Sequence, residues 1–298
     1  MELEFLKGRI ATSVAYFHNQ SSNQLVGIPL PGTTGFNSVQ ANLNATVENT
    51  AWEFTLRTQN IKKEFFSWST DINLSIPRNK LVAFQNLEES TYANQYVIGE
   101  PITIKKVFNF LGVDSETGLY KFEDLNNDGI INDEDRKTVA NIGVKYFGGI
   151  NNNISYKNWS VDFLWQFVKQ NNYNSDYYFN TIGDMSNREK RALDYYSENN
   201  KDAKYQKPTT GLNSEAVQAA NNFRNSNGVI SDASFIRLKS FQLQYMIHDK
   251  WLKNSSLSVF IQGNNLITIT NFLGHDPETN GGLLPAVKTF AFGFNFKF

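Results

Sequence analysis

Apolar and polar residues alternate along this chain with a period of two. In "TFAFGFNFKF", Phe290, Phe292, Phe294, Phe296 and Phe298 occupy one side, while Ala291, Gly293, Asn295 and Lys297 occupy the other. Successive side chains of a strand point to opposite faces, so this pattern predicts a strand with one apolar face and one small or polar face. "FFSWSTDINLSI" repeats it, with Phe66, Trp68, Ile72, Leu74 and Ile76 set against Ser67, Ser69, Asp71, Asn73 and Ser75. So does "NWSVDFLWQF", where Trp159, Val161, Phe163, Trp165 and Phe167 oppose Ser160, Asp162, Leu164 and Gln166. "YFGGINNNISY" and weaker stretches at 9–18, 52–59, 235–247 and 257–270 bring the expectation to about eight strands, most of roughly 10 to 14 residues. Strands of soluble proteins peak near ~5–6 residues, whereas a bilayer-spanning strand needs ~9–11.

The connections sharpen that contrast. Residues 60–64, 157–158 and 248–256 are short links, whereas 19–50, 77–145, 170–233 and 271–285 are long and rich in Asn, Ser, Gly and Thr. Short and long alternate, as in an antiparallel up-and-down transmembrane β-barrel with tight periplasmic turns and long external loops. A soluble β-sandwich is the competing all-β solution, but it gives no reason to gather the long loops at one end.

Composition is consistent with the barrel. The 298 residues include 24 Phe, 13 Tyr and 5 Trp, yet the mean hydropathy is only -0.43. A barrel reconciles the two, because only alternate residues meet lipid while lumen and loops stay wet. The net charge of -1 gives no electrostatic footprint for nucleic acid. The absence of cysteine excludes disulfides, thiolate metal sites and cysteine nucleophiles.

Several pieces together resemble the SusC/RagA-type TonB-dependent transporters of the Gram-negative outer membrane. They are "GLYKFEDLNNDGIINDEDR", "GGINNNISYKNWSVDFLWQF", "SFIRLKSFQLQY", "SVFIQGNNLITIT", "HDPE" and the terminal "FAFGFNFKF". "GRIATSVAYF" and "NTAWEFTLRTQNIKKEFFSWSTDINLS" resemble that family's preceding strands. The resemblance covers nearly the whole chain and implies the C-terminal part of the β-barrel, an open arc of about eight strands. Such transporters close about 22 strands around a plug, and nothing here resembles a plug or a TonB-contacting segment. The implied product is a fragment or truncated transporter, not active alone. It would belong in the outer membrane, with a SusD-like surface lipoprotein as partner in importing glycans or peptides, and would meet TonB only through the missing plug.

Two stretches carry candidate chemistry. "DLNNDGIINDED" has the register of an EF-type calcium loop. Asp124, Asn126 and Asp128 stand at positions one, three and five, with Gly129 at the turn. The Ile130 carbonyl is at seven, Asn132 at nine and Asp135 at twelve. All-oxygen ligands at this spacing suit Ca²⁺ in a structural role, and Ile131 at eight is the apolar anchor. Asp at twelve has less reach than Glu. The second stretch is the terminal strand. Phe290, Phe292, Phe294, Phe296 and Phe298 resemble the signal by which the outer-membrane assembly machinery recognises its clients.

Aromatics near strand ends, Trp52, Trp68, Tyr146, Tyr156, Trp159 and Trp251, suit interfacial girdles. Tyr173, Tyr177, Tyr178 and Phe179 form a possible substrate or partner loop. His18, His248 and His275 lack ligand spacing, and no nucleophile elbow or phosphate loop occurs, so an enzyme is not expected. Glu53, Asp71 and Asp162 fall on polar strand faces. The alternative is a secreted all-β carbohydrate-binding or adhesion module with a structural calcium, in which the terminal phenylalanines are buried against a second sheet.

Overall fold

A computed structural model describes residues 1–29, 32–179, 181–247, 255–279 and 284–297. Long antiparallel strands dominate it. The first four are β1 (Glu2–Phe5), β2 (Ile10–Pro29), β3 (Ser38–Lys62) and β4 (Phe66–Phe84). An excursion follows, with β5 (Ile104–Val107), β6 (Phe110–Val113), β7 (Tyr120–Phe122) and β8 (Thr138–Asn141). The chain returns through β9 (Val144–Tyr156) and β10 (Trp159–Tyr173), then leaves again for helix α1 (Ser214–Arg224) and β11 (Ile230–Asp232). It ends on β12 (Phe235–Ile247), β13 (Ser256–Thr270) and β14 (Thr289–Lys297).

One sheet runs β1-β2-β3-β4-β9-β10-β12-β13-β14, with β11 added to β10. Neighbours pair antiparallel throughout. β1 and β14 are its two edges, so the sheet is an arc and not a closed barrel. The expected meander is therefore present, with its excursions all at the same end of the strands.

Three boundaries differ from the sequence expectation. Residues 19–50 do not form a long external loop. The β2–β3 ladder continues through them from Ile10↔Thr58 to Pro29↔Ser38. β4 likewise runs past residue 77 to Phe84, and β10 past residue 170 to Tyr173. In these extensions strict alternation is lost, with apolar residues adjacent at Leu25–Val26 and Leu81–Val82, while backbone pairing persists. The opening residues also form a strand, Glu2–Phe5, that the pattern did not single out.

The buried apolar clusters lie where the excursions leave the sheet. Phe108, Phe122, Phe223 and Val229 form one cluster, packed with Phe110, Tyr120, Ile131, Tyr173 and Ile230. Leu81, Phe84 and Leu87 form a second at the top of β4, with Tyr92 and Tyr96 against it. The excursions thus fold into a cap. Helix α1 fits there because Ala216, Ala219, Ala220 and Phe223 recur at helical spacing and are buried. The Asn213 side chain caps its start by accepting from the Ala216 amide at 3.0 Å.

Candidate functional site

The wall of the arc has two chemically distinct faces, and the register defines them. Val14, Phe54 and Leu74 are lateral neighbours, as are Ile72, Ile150 and Trp165. Val161, Leu243, Ile261 and Phe292 complete another row. All share one face. The opposite face carries Ser69, Asp71, Asn73, Asn151, Asn153, Asp162, Gln242 and Gln262, and Glu53 also lies there between Ala15 and Ser75. Arg57 and Asp71 pair on it at 2.6 Å, and Asp162 accepts weakly from Asn151 and Asn153.

The apolar face is uncovered. Phe290, Phe292 and Phe294 are 73%, 88% and 71% exposed, and Ile261, Ile267 and Ile269 are exposed beside them. Among the described residues no second sheet lies over these rings, which removes the buried-sandwich alternative. Phe296 belongs to the same row; Phe298 lies outside the described residues.

Aromatic rows bound this face. Phe66, Tyr156, Trp159 and Tyr245 are consecutive lateral neighbours. Their rings meet at 6.4 Å (Phe66–Tyr156) and 4.6 Å (Trp159–Tyr245). Toward the cap, Tyr16 meets Trp52 at 4.8 Å and Tyr146 meets Phe167 at 6.5 Å. On β10 the two rows are 167 − 159 = 8 residues apart, about 26 Å of strand at ~3.3 Å per residue. An outer-membrane barrel presents an apolar band of ~25 Å between aromatic girdles. Trp251 lies outside the described residues.

The few polar groups within the apolar face satisfy one another. Asn152 Oδ1 accepts from Trp68 Nε1 at 3.0 Å and from Thr70 Oγ1 at 2.8 Å, while Thr70 Oγ1 accepts from Asn60 Nδ2 at 2.8 Å. In hydrocarbon an unmet polar group is costly, and this cluster avoids that cost without water.

A buried ionic knot fastens the cap to the wall. The ladder slips between Leu238 and Ser240, which turns Arg237 to the polar face. There the guanidinium, 0% exposed, donates to Asp276 at 2.6 Å, Glu278 at 2.5 Å and Thr268 Oγ1 at 3.0 Å. It also lies 4.9 Å from the Phe235 ring centre. Burial opposes ionisation of Asp276, yet the Arg237 guanidinium together with the Glu278 amide outweighs it and holds the carboxyl below its ordinary range. Thus the "HDPE" stretch serves as an anchor, a role the sequence pattern had not assigned.

The acidic loop has the EF-type backbone. Asp124 accepts from the Asn127 and Gly129 amides, Asn126 from Asp128, Asp128 from Ile130 and Asn132 from Glu134. Gly129 takes φ +82, open to glycine at little cost. Ile131 packs onto the cap core as the anchor. The closing residue behaves otherwise: Asp135 is fully buried and spends its oxygens on the Leu125 amide (2.8 Å) and the Asn132 amide (3.0 Å). These bonds, Asn132 first, hold its carboxyl below the ordinary range. Glu134 Oε2 reaches Asn126 instead, at 3.0 Å. The oxygen donor set suits a hard cation, but among the described residues no three acidic or histidine side chains converge to hold one.

The four aromatics of 173–179 separate. Tyr173 joins the cap core and stacks on Tyr177 at 4.1 Å; Tyr177 and Tyr178 are exposed; Phe179 lines a cap cavity. His18 pairs with Glu48 at 3.1 Å, whereas His248 lies outside the described residues.

No family model matches the chain. It is 26% identical over 327 residues to TonB-dependent receptor P26 of Formosa agariphila, covering 99% of this chain and 32% of that protein. TonB-dependent receptor SusC of Bacteroides thetaiotaomicron is 21% identical over 328 residues, covering 100% and 31%. The chain thus spans about a third of the length of the curated relatives it matches. In fold it superposes on the RagAB peptide transporter with a TM-score of 0.77 at 20% identity, over 98% of this chain and 34% of that one. In sequence the chain is similar to about a third of the length of TonB-dependent receptors, SusC among them, and its fold is that of the matching part of the RagAB barrel.

Proposed function

We propose that this chain forms the C-terminal part of the wall and external cap of an outer-membrane importer. The observation that carries the proposal is the uncovered apolar face, bounded by aromatic rows and backed by a polar face. Its ligand is a glycan or peptide, delivered with a SusD-like surface lipoprotein. The polar face borders the import path, and TonB acts on a plug that this arc does not contain. The row Phe290 to Phe296, with Phe298 next in the sequence pattern, is the signal read by the outer-membrane assembly machinery. Expression of the corresponding full-length transporter in an outer-membrane host tests this. The wild type should fractionate with the outer membrane and show heat-modifiable mobility, and Phe292→Lys with Phe294→Lys should accumulate unassembled. Normal assembly of that double variant would refute the role of the row.

The EF-type amide pattern supports a second assignment, a Ca²⁺-stabilised turn at 124–135. Asp124, Asn126, Asp128, the Ile130 carbonyl and Asn132 would hold the ion, and Asp135 would turn to it from the Leu125 and Asn132 amides. Millimolar calcium should then raise the cap's resistance to proteolysis, and chelator should reverse the effect. Equal protection with and without calcium would count against the ion.

A further inference from the structure

The cap holds a cavity of about 40 Å³ near α1, lined by Tyr120, Phe179, Arg188, Arg191, Tyr205 and Phe223. A single water needs ~10–15 Å³ of such space, so there is room for a group of side-chain size. The rings supply much of the apolar wall; the polar lining is three arginines, Arg188, Arg191 and Arg224, against two carboxylates, Asp176 and Glu189, with Thr181 and Gln206.

Arg188 and Arg191 are partly engaged. Arg191 Nη2 bonds the Ser175 hydroxyl and lies 3.0 Å from Asp176, while its Nε stands 2.7 Å from Glu189. Arg188 Nη2 donates to the Thr181 carbonyl at 2.7 Å and meets Asp184 at 3.0 Å. Two nitrogens remain: Arg191 Nη1 and Arg188 Nε are buried with no hydrogen-bond partner. Tyr205 is not available to them, because its hydroxyl faces Asp176 at 3.3 Å. A guanidinium has donors and no acceptor, so the missing partner is an acceptor. An ionised acceptor makes bonds about twice as strong as a neutral one.

We propose that this cavity binds a small carboxylate, held by Arg191 Nη1 and Arg188 Nε, with its alkyl stem against Tyr120, Phe179 and Phe223. The site is independent of the wall and of any role in transport. It is tested on the corresponding full-length transporter in detergent micelles by NMR titration with ¹³C-acetate, using acetamide as the neutral isostere. Saturable acetate binding, at least tenfold tighter than acetamide, is expected. Ala192 also lines the cavity; Ala192→Leu, which fills it while sparing both arginines, should weaken acetate at least tenfold, and heat-modifiable mobility reports separately whether that variant is folded. Absence of saturable binding, equal affinity for acetate and acetamide, or an unchanged affinity in folded Ala192→Leu would each overturn the proposal.

Discussion

Single residues decide how the cap is fastened to the wall. Arg237 is buried among two carboxylates and a ring, and removing one partner of a buried ion pair strands the other charge. Such losses run to ~3–5 kcal/mol. Arg237→Met is therefore expected to release 271–279 to protease while leaving the sheet intact, and adding Asp276→Asn should recover part of the protection. Limited proteolysis followed by mass spectrometry reads both. A second residue-scale case is electrostatic. The Lys169 ammonium at 2.6 Å, with the Ser234 hydroxyl, holds the Asp232 carboxyl at about 2, below its ordinary 3.8. A carboxyl whose folded pKa is depressed contributes stability above its unfolded pKa and loses it as pH falls through the folded value. That contribution is thus complete above pH ~4 and fades toward pH ~2. In Lys169→Met the Asp232 carbon should titrate closer to the ordinary range by NMR; an unmoved midpoint would show that the lysine is not the cause.

At the scale of elements, the strands and the cap depend on different forces. A strand here needs backbone pairing and a place for each side chain on its face. Gly148 shows how tight this is: an added Cβ would lie 2.1 Å from the Asn73 carbonyl oxygen and 2.6 Å from the Phe167 ring. Gly148→Ala should accordingly impair the β4–β9–β10 ladder and lower the temperature of heat-modification. At Gly293 a Cβ would meet instead the Phe260 ring, which covers that glycine from the neighbouring strand. The cap is held by ordinary apolar packing. Phe223→Ala removes the ring that meets Phe110 at 4.9 Å and Tyr120 at 4.3 Å, and truncating a buried Phe costs ~3–5 kcal/mol. Hydrogen exchange should then quicken across 108–122 and 214–230 and remain slow in the wall.

For the whole molecule, the apolar face must meet lipid and the polar face water, and one charge placed on the wrong side tests that division. A lysine at mid-bilayer on a barrel's lipid face costs ~2–4 kcal/mol. Ile261→Lys, in the middle of β13, should reduce membrane assembly, whereas Gln262→Lys on the opposite face should be tolerated. Equal outcomes for the two would dissolve the distinction between the faces.

Local pattern alone determined the wall. Side chains alternate by covalent geometry, so period two, strand length and the spacing of polar linkers fixed which residues face together and that the strands form an antiparallel meander. The EF-type register was legible for the same reason, since its turns use residues within one short loop. Where the pattern weakened, at 19–50 and 77–84, it misplaced the strand ends, because ladder hydrogen bonds belong to the backbone and leave no mark on residue type. Only the tertiary structure revealed the Arg237–Asp276–Glu278 knot, the packing of Tyr173 and α1 into one cap, and the cavity at Arg188 and Arg191. Each joins segments distant in the chain, and such meetings are set by how the loops fold over the arc and not by any local period.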